Sequence, residues 1–183
     1  MKTTSPTSEI AMLCWLAVVG TILMACEKPF QIPRDASKAI ELSLTLNPIT
    51  GSNVLDGSEI IPSLVKSGIF PDKPSERLNY RSYYIPKTNI QILGSKLVYY
   101  DHEYIEEWIG CCPNSGNAVV LLESIDTARI KSFAKMNKCK VTKGKDIYLP
   151  DDLWKLLNIS EESKSRLIEV SCKERNDERN KNN

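Results

Sequence analysis

Sixteen consecutive residues from Ile10 to Ala25 carry no charge and are mostly apolar, and nowhere else does the chain sustain such a run. A bilayer core needs about 20 residues of helix to cross it. The run is therefore too short to span and reads as the apolar region of an export signal. That reading divides the chain, because removing 25 residues leaves 158, enough for one domain with an ordinary core and short flanks.

An ordinary secretory cleavage site places small residues at the first and third positions before the cut. Leu23-Met24-Ala25 offers only Ala25. With the next residue added, Leu23-Met24-Ala25-Cys26 resembles a bacterial lipobox. The resemblance implies that the Cys26 thiol carries a diacylglycerol thioether, that cleavage falls before Cys26, and that palmitate-type acyl chains hold the product on a membrane. It places the protein in the cell envelope, facing the periplasm or the exterior, and it extends no further than these residues. Glu27 follows the cysteine, which leaves the outer membrane open as the site of anchoring.

The leader holds one cation, Lys2, and one anion, Glu9, so the chain keeps its net charge of +1 without it. No electrostatic case for a nucleic-acid partner survives that balance. The partners expected are the membrane, through the N-terminal lipid, and an envelope or secreted protein.

The sequence divides into a signal peptide at 1–25, a tether and N-terminal arm at 26–56, one α+β domain at 57–172 and a disordered tail at 173–183. Two prolines in a polar stretch after Cys26 suit a tether. Within the arm, Ile40 to Leu46 places apolar residues on even positions, as a half-buried strand does. Residues from Lys173 onward include no apolar side chain and are expected to be frayed.

Inside the domain the pattern predicts a small, mainly antiparallel sheet with two or three short helices, stapled by disulfides. Ser58 to Ser67 reads as a helix ended by Gly68, although Pro62 interrupts it. Thr88 to Leu93 and Lys96 to Tyr100 flank Gly94-Ser95, which suits a hairpin with a type II′ turn. Asn117 to Glu123 reads as a buried strand, followed by a helix ending near Asn137 and a strand from Cys139 to Thr142. Pro150 opens a helix that runs to Leu157 with Trp154 and Leu157 inward, and Arg166 to Cys172 alternates as a final strand.

Four cysteines remain for the domain: Cys111, Cys112, Cys139 and Cys172. An even count in an oxidising compartment points to disulfides. Because a bond between adjacent cysteines closes a strained ring, Cys111 and Cys112 are each expected to reach across to Cys139 and Cys172, in an order left open.

The single histidine, His102, lies in Asp101-His102-Glu103-Tyr104-Ile105-Glu106-Glu107-Trp108. No second histidine completes a zinc-protease motif, and two ligands such as His102 and Glu106 do not make a metal site. No phosphate-cradling loop, nucleophile elbow or Cys-x-x-Cys motif is present, so neither a cofactor nor a metal is expected. Six of the seven tyrosines crowd between Tyr80 and Tyr104. Adjacent tyrosines on a strand face opposite ways, so Tyr99 or Tyr100 is expected to be exposed as a partner-binding anchor on the hairpin, unless helices cover both faces. Two function classes follow: a lipid-tethered binding module of inhibitor, immunity or envelope-accessory type, and a small extracytoplasmic enzyme centred on His102 with Asp101, Glu103 and Glu106.

Overall fold

The computed structural model describes residues 35–103, 116–122 and 127–173. Among them, five α-helices and seven antiparallel strands form an α+β architecture. Asp35 starts the first helix, α1 (Ala36–Leu44), by accepting a hydrogen bond from the Ser37 amide. The expected strand from Ile40 to Leu46 is thus corrected. Ala39, Ile40, Ser43 and Leu44 recur at helical spacing, and all four are buried on one face. Burying Ile40 and Leu44 contributes about 1.5–3 kcal/mol each. Residues 35–56 consequently share the core of the domain that follows.

A capping box opens α2 (Gly57–Lys66): the Asp56 side chain accepts from Ser58 N, and the Asp56 amide donates to the Glu59 carboxylate at 2.8 Å. Pro62 sits inside this helix without ending it, and Gly68 at φ +76 turns the chain away. Strands β1 (Glu76–Leu78) and β2 (Arg81–Tyr84) follow, then β3 (Gln91–Ile92) and the long β4 (Ser95–Glu103). The expected hairpin is present, but Ile92 pairs with Ser95, so its two turn residues are Leu93 at φ +53 and Gly94 at φ +78. Two positive φ values make it type I′, not II′. Burial of the Leu93 side chain offsets the conformational cost that leucine incurs there.

The remainder runs β5 (Gly116–Leu122), α3 (Ala128–Met136), β6 (Lys140–Lys143), a short 3₁₀ turn (Gly144–Asp146), α4 (Asp151–Leu157), α5 (Glu161–Ser165) and β7 (Leu167–Lys173). Sheet order is β1-β2-β4-β5-β7-β6, with β3 paired to β4 off that path. Each face of the sheet carries its own core. The larger core packs Ile40, Leu44, Ile60, Phe70, Tyr100 and Ile130 among its buried residues, and the smaller packs Tyr83, Tyr99, Val120, Ile147 and Leu153. In α4 the fully buried residue is Leu153, while Trp154 and Leu157 pack only at the edge of the smaller core.

Two expectations are overturned by the ends of strands. Lys173 is not the start of a frayed tail; it is the last residue of β7 and is 2% exposed. Cys139 and Cys172 form a disulfide with each other, with Cα atoms 4.4 Å apart. Both cysteines are thereby used, which overturns the expected bonds from Cys111 and Cys112 to them. Cys111 and Cys112, like Cys26 and Glu106, lie outside the described residues.

Candidate functional site

Strand alternation sorts the residues of β4: Tyr99, Asp101 and Glu103 point to the smaller core, Tyr100 and His102 to the larger. Tyr99 and Tyr100 are both fully buried, so neither is the exposed anchor expected from the sequence. Helices cover both faces here, and adjacent tyrosines can each be core. Asp101 and His102, adjacent in sequence, face opposite sides of the sheet, so Asp101 does not orient the imidazole.

On the Asp101 side an ionic cluster is assembled from three strands. Arg81 of β2 donates to Asp101 through Nε at 3.1 Å and through a second nitrogen at 2.5 Å. Lys173 of β7 donates to Asp101 at 2.8 Å and to Glu103 at 2.7 Å. Burial alone would raise the Asp101 carboxyl, but Lys173 and Arg81 outweigh it and hold it below the usual range. Burial likewise opposes the charge on Arg81, and Asp101 outweighs it so that the guanidinium is held charged more firmly than usual. Glu169, on the same face of β7, is shifted upward by burial and by the Asp101 charge. The hydroxyls of Tyr83 and Tyr99 are buried without a hydrogen-bond partner among the described residues, and burial pushes both upward. Among the described residues two cations, Arg81 and Lys173, here meet the buried carboxylates of Asp101 and Glu103. Such a set positions strands, and its two carboxylates are buried.

On the opposite face, the His102 ring Nδ1 lies 2.9 Å from the Asn117 side-chain oxygen, a pairing that needs the ring protonated at Nδ1. Asn117 donates through Nδ2 to the Ser43 carbonyl, and the Tyr100 hydroxyl donates to the Ser43 hydroxyl. Gly57 lies against this pair; a Cβ there would collide with His102 Nδ1 and Asn117 Oδ1. His102 therefore ties the sheet to α1 and α2, in a place 3% exposed. Among the described residues no group of three or more His, Cys, Asp or Glu side chains is placed to hold a metal ion.

An open concavity lies elsewhere, along the hairpin. A cavity of about 610 Å³ is walled on one side by residues 85–89 and by Lys96, Leu97 and Val98, and on the other by Leu157 to Ser160 and Ser163. Register shifts between Leu97 and Tyr99, so Val98 is the extra residue of a bulge. Bulges re-aim side chains and are frequent beside binding sites. Here the bulge turns Val98 as well as Tyr99 toward the smaller core. Asn158, in the left-handed conformation at φ +46, ends α4 and turns the chain along the opposite wall. The hairpin expected from the sequence as a binding face does line this groove, although through Lys96, Leu97 and Val98. The second wall was missed because nothing in Leu157-Asn158-Ile159-Ser160 marks it as a neighbour of the hairpin, some 60 residues earlier in the chain. No helix among the described residues is long and apolar enough to cross a membrane. Compared with protein families, with curated proteins and with solved structures, the chain matches none.

Proposed function

We propose that this chain is an envelope lipoprotein, anchored through Cys26, whose domain works as a binding module and not as an enzyme. The tether rests on the likeness of Leu23-Met24-Ala25-Cys26 to a lipobox. The observation that carries the binding role is the groove of about 610 Å³ between the hairpin and the turn after α4. Catalysis centred on His102 has less support, because Asp101 and Glu103 face the other side of the sheet and all three are buried. A module of this kind would meet an envelope or secreted protein at the membrane surface. Firm anchoring needs two acyl signals or more, which a processed lipoprotein supplies.

Expression of the native chain and of Cys26→Ala in a bacterial host tests the tether. The native chain should partition with membranes and show an acylated N-terminal cysteine by mass spectrometry, while the variant should accumulate as an uncleaved precursor. An unmodified N-terminus downstream of Cys26 overturns the anchor. Crosslinking in the intact envelope should then join the domain to one partner through residues of the hairpin wall; crosslinks that avoid this wall overturn its role in binding.

A further inference from the structure

We propose that the groove holds an extended stretch of a partner polypeptide in which an aliphatic side chain stands next to a carboxylate. This deepens the binding-module reading and rests on it. Among the described residues the walls carry two formal charges, Lys87 and Lys96, and no acid. Both lysines are exposed, and neither pairs with a carboxylate among the described residues. Between them the surface is aliphatic: Val98, Leu122, Leu157 and Ile159 are half-buried at the edge of the smaller core. Each leaves apolar surface that an incoming side chain could cover, and the bulge at Val98 adds to it. Charge complementarity thus asks for an acid on the ligand, and the apolar strip asks for an aliphatic group beside it.

Other occupants fit less well. A flat anionic membrane would be met by protruding cations, whereas these two lysines border a concavity. A nucleic acid needs more than two cations to neutralise its phosphates. A small inorganic anion could pair with a lysine and would leave the aliphatic strip uncovered. An extended peptide uses both features. It can also lay its main chain against Asn89 and Asn158 on opposite walls.

The test is selection of a random octapeptide display library on the full chain in detergent, followed by fluorescence anisotropy of the recovered peptides. The expected result is enrichment of Asp or Glu beside Leu, Ile or Val. Affinity should fall at least tenfold in Lys87→Glu/Lys96→Glu and in Val98→Asp, and should weaken as salt rises. Lys131→Glu/Lys135→Glu, which changes the exposed surface of α3, should leave it unchanged. Circular dichroism of each variant separates lost binding from lost folding. Recovery of no peptide above background overturns the proposal, as do acid-free peptides or affinities indifferent to the double charge reversal. Full competition by inorganic phosphate would assign the groove to a small anion, and self-association abolished by the same reversal would assign it to a second copy; either overturns the polypeptide. An envelope partner whose crosslinking survives Lys87→Glu/Lys96→Glu overturns this groove ligand and leaves the tethered module standing. Peptide binding by a chain that stays off membranes removes the tether alone.

Discussion

Lys173 and Asp101 belong to strands that are not neighbours, yet the lysine Nζ lies 2.8 Å from the Asp101 carboxylate across the whole width of β5. The crossing is possible because β5 presents two minimal side chains along that path. Gly116 stands between Glu103 and Lys173 in the register, and Ala118 between Asp101 and Ser171. A Cβ on Gly116 would lie 2.7 Å from the Lys173 Cα, and the φ of Gly116, +140, is one that other residues rarely adopt. The central strand is narrow at this end so that a cation from β7 can reach two carboxylates of β4.

Removing that cation takes from Asp101 and Glu103 the buried positive charge that they share. Lys173→Met is expected to destabilise the domain by about 3–5 kcal/mol, the range for breaking one side of a buried ion pair. Urea denaturation of the variant measures it; a loss under 1 kcal/mol would show that water already shares the charge.

Two acids in one cluster should respond to pH with opposite signs. Asp101 is held below its ordinary value, so its stabilisation is present above the unfolded value near 4 and is lost as pH falls through the folded value. Glu169 is raised, so its ionised form is disfavoured in the fold; that cost is absent below the unfolded value and develops as pH rises through the folded one. Asp101→Asn should therefore be costly at pH 7, with a smaller deficit toward pH 3. Glu169→Gln should stabilise at pH 7 and lose its advantage in acid. Denaturation midpoints at several pH values check both, and a Glu169→Gln gain that is constant with pH contradicts the assignment.

The Tyr83 and Tyr99 hydroxyls, buried and without partners among the described residues, give a simpler expectation. A buried hydroxyl that makes no hydrogen bond costs about 1–3 kcal/mol of desolvation. Tyr99→Phe removes the group and keeps the ring, including its edge contact with Tyr83 at 5.8 Å. The variant should be as stable as the native chain or more so, by up to about 1 kcal/mol. Clear destabilisation in thermal melts would mean that an ordered water satisfies the oxygen.

The Cys139–Cys172 bond joins residues 33 apart. For a loop of this length, constraint of the unfolded chain corresponds to about 3–4 kcal/mol. Peptide mapping without reduction should recover one fragment linking Cys139 to Cys172, and Cys139→Ala/Cys172→Ala should lose stability in that range. A fragment linking either residue to Cys111 or Cys112 would contradict the pairing.

What could be read from the sequence follows the range of the interaction involved. The hairpin, the strand at Asn117 and the helix after Pro150 are local patterns, and the structure places each within a few residues of expectation. Ile40 to Leu46 fits both alternation and helical spacing; Asp35 as a cap and Ala36, Ala39, Ile40, Ser43 and Leu44 on one face were the signal for helix. The unbroken apolar run of β5 already required cover on both faces of the sheet, a requirement that carries over to the adjacent Tyr99 and Tyr100. The reach of Lys173 over Gly116, the partner of Cys139 and the second wall of the groove depend on strand order, which no local pattern encodes.

Gly57 offers the sharpest test of the polar chain on the other face. It opens α2 directly after the Asp56 cap, where alanine would ordinarily be the better helix former by about 1 kcal/mol. Propensity alone therefore predicts that Gly57→Ala stabilises. The structure predicts the reverse, because the added methyl would run into His102 Nδ1 and Asn117 Oδ1, two atoms fixed 2.9 Å apart. Displacing His102 breaks its pairing with Asn117, and displacing Asn117 also breaks the link to the Ser43 carbonyl that holds α1 to the sheet. Overpacking of this kind costs about 1–3 kcal/mol, which exceeds the gain in propensity. His102→Ala removes the nearer of the two obstacles and leaves Asn117 Oδ1, so in that background Gly57→Ala should cost clearly less than in the native chain. The coupling measured by the four-protein cycle should be about 1–3 kcal/mol and favourable. Additive effects would mean that the helix shifts freely and that His102 does not fix where α2 begins.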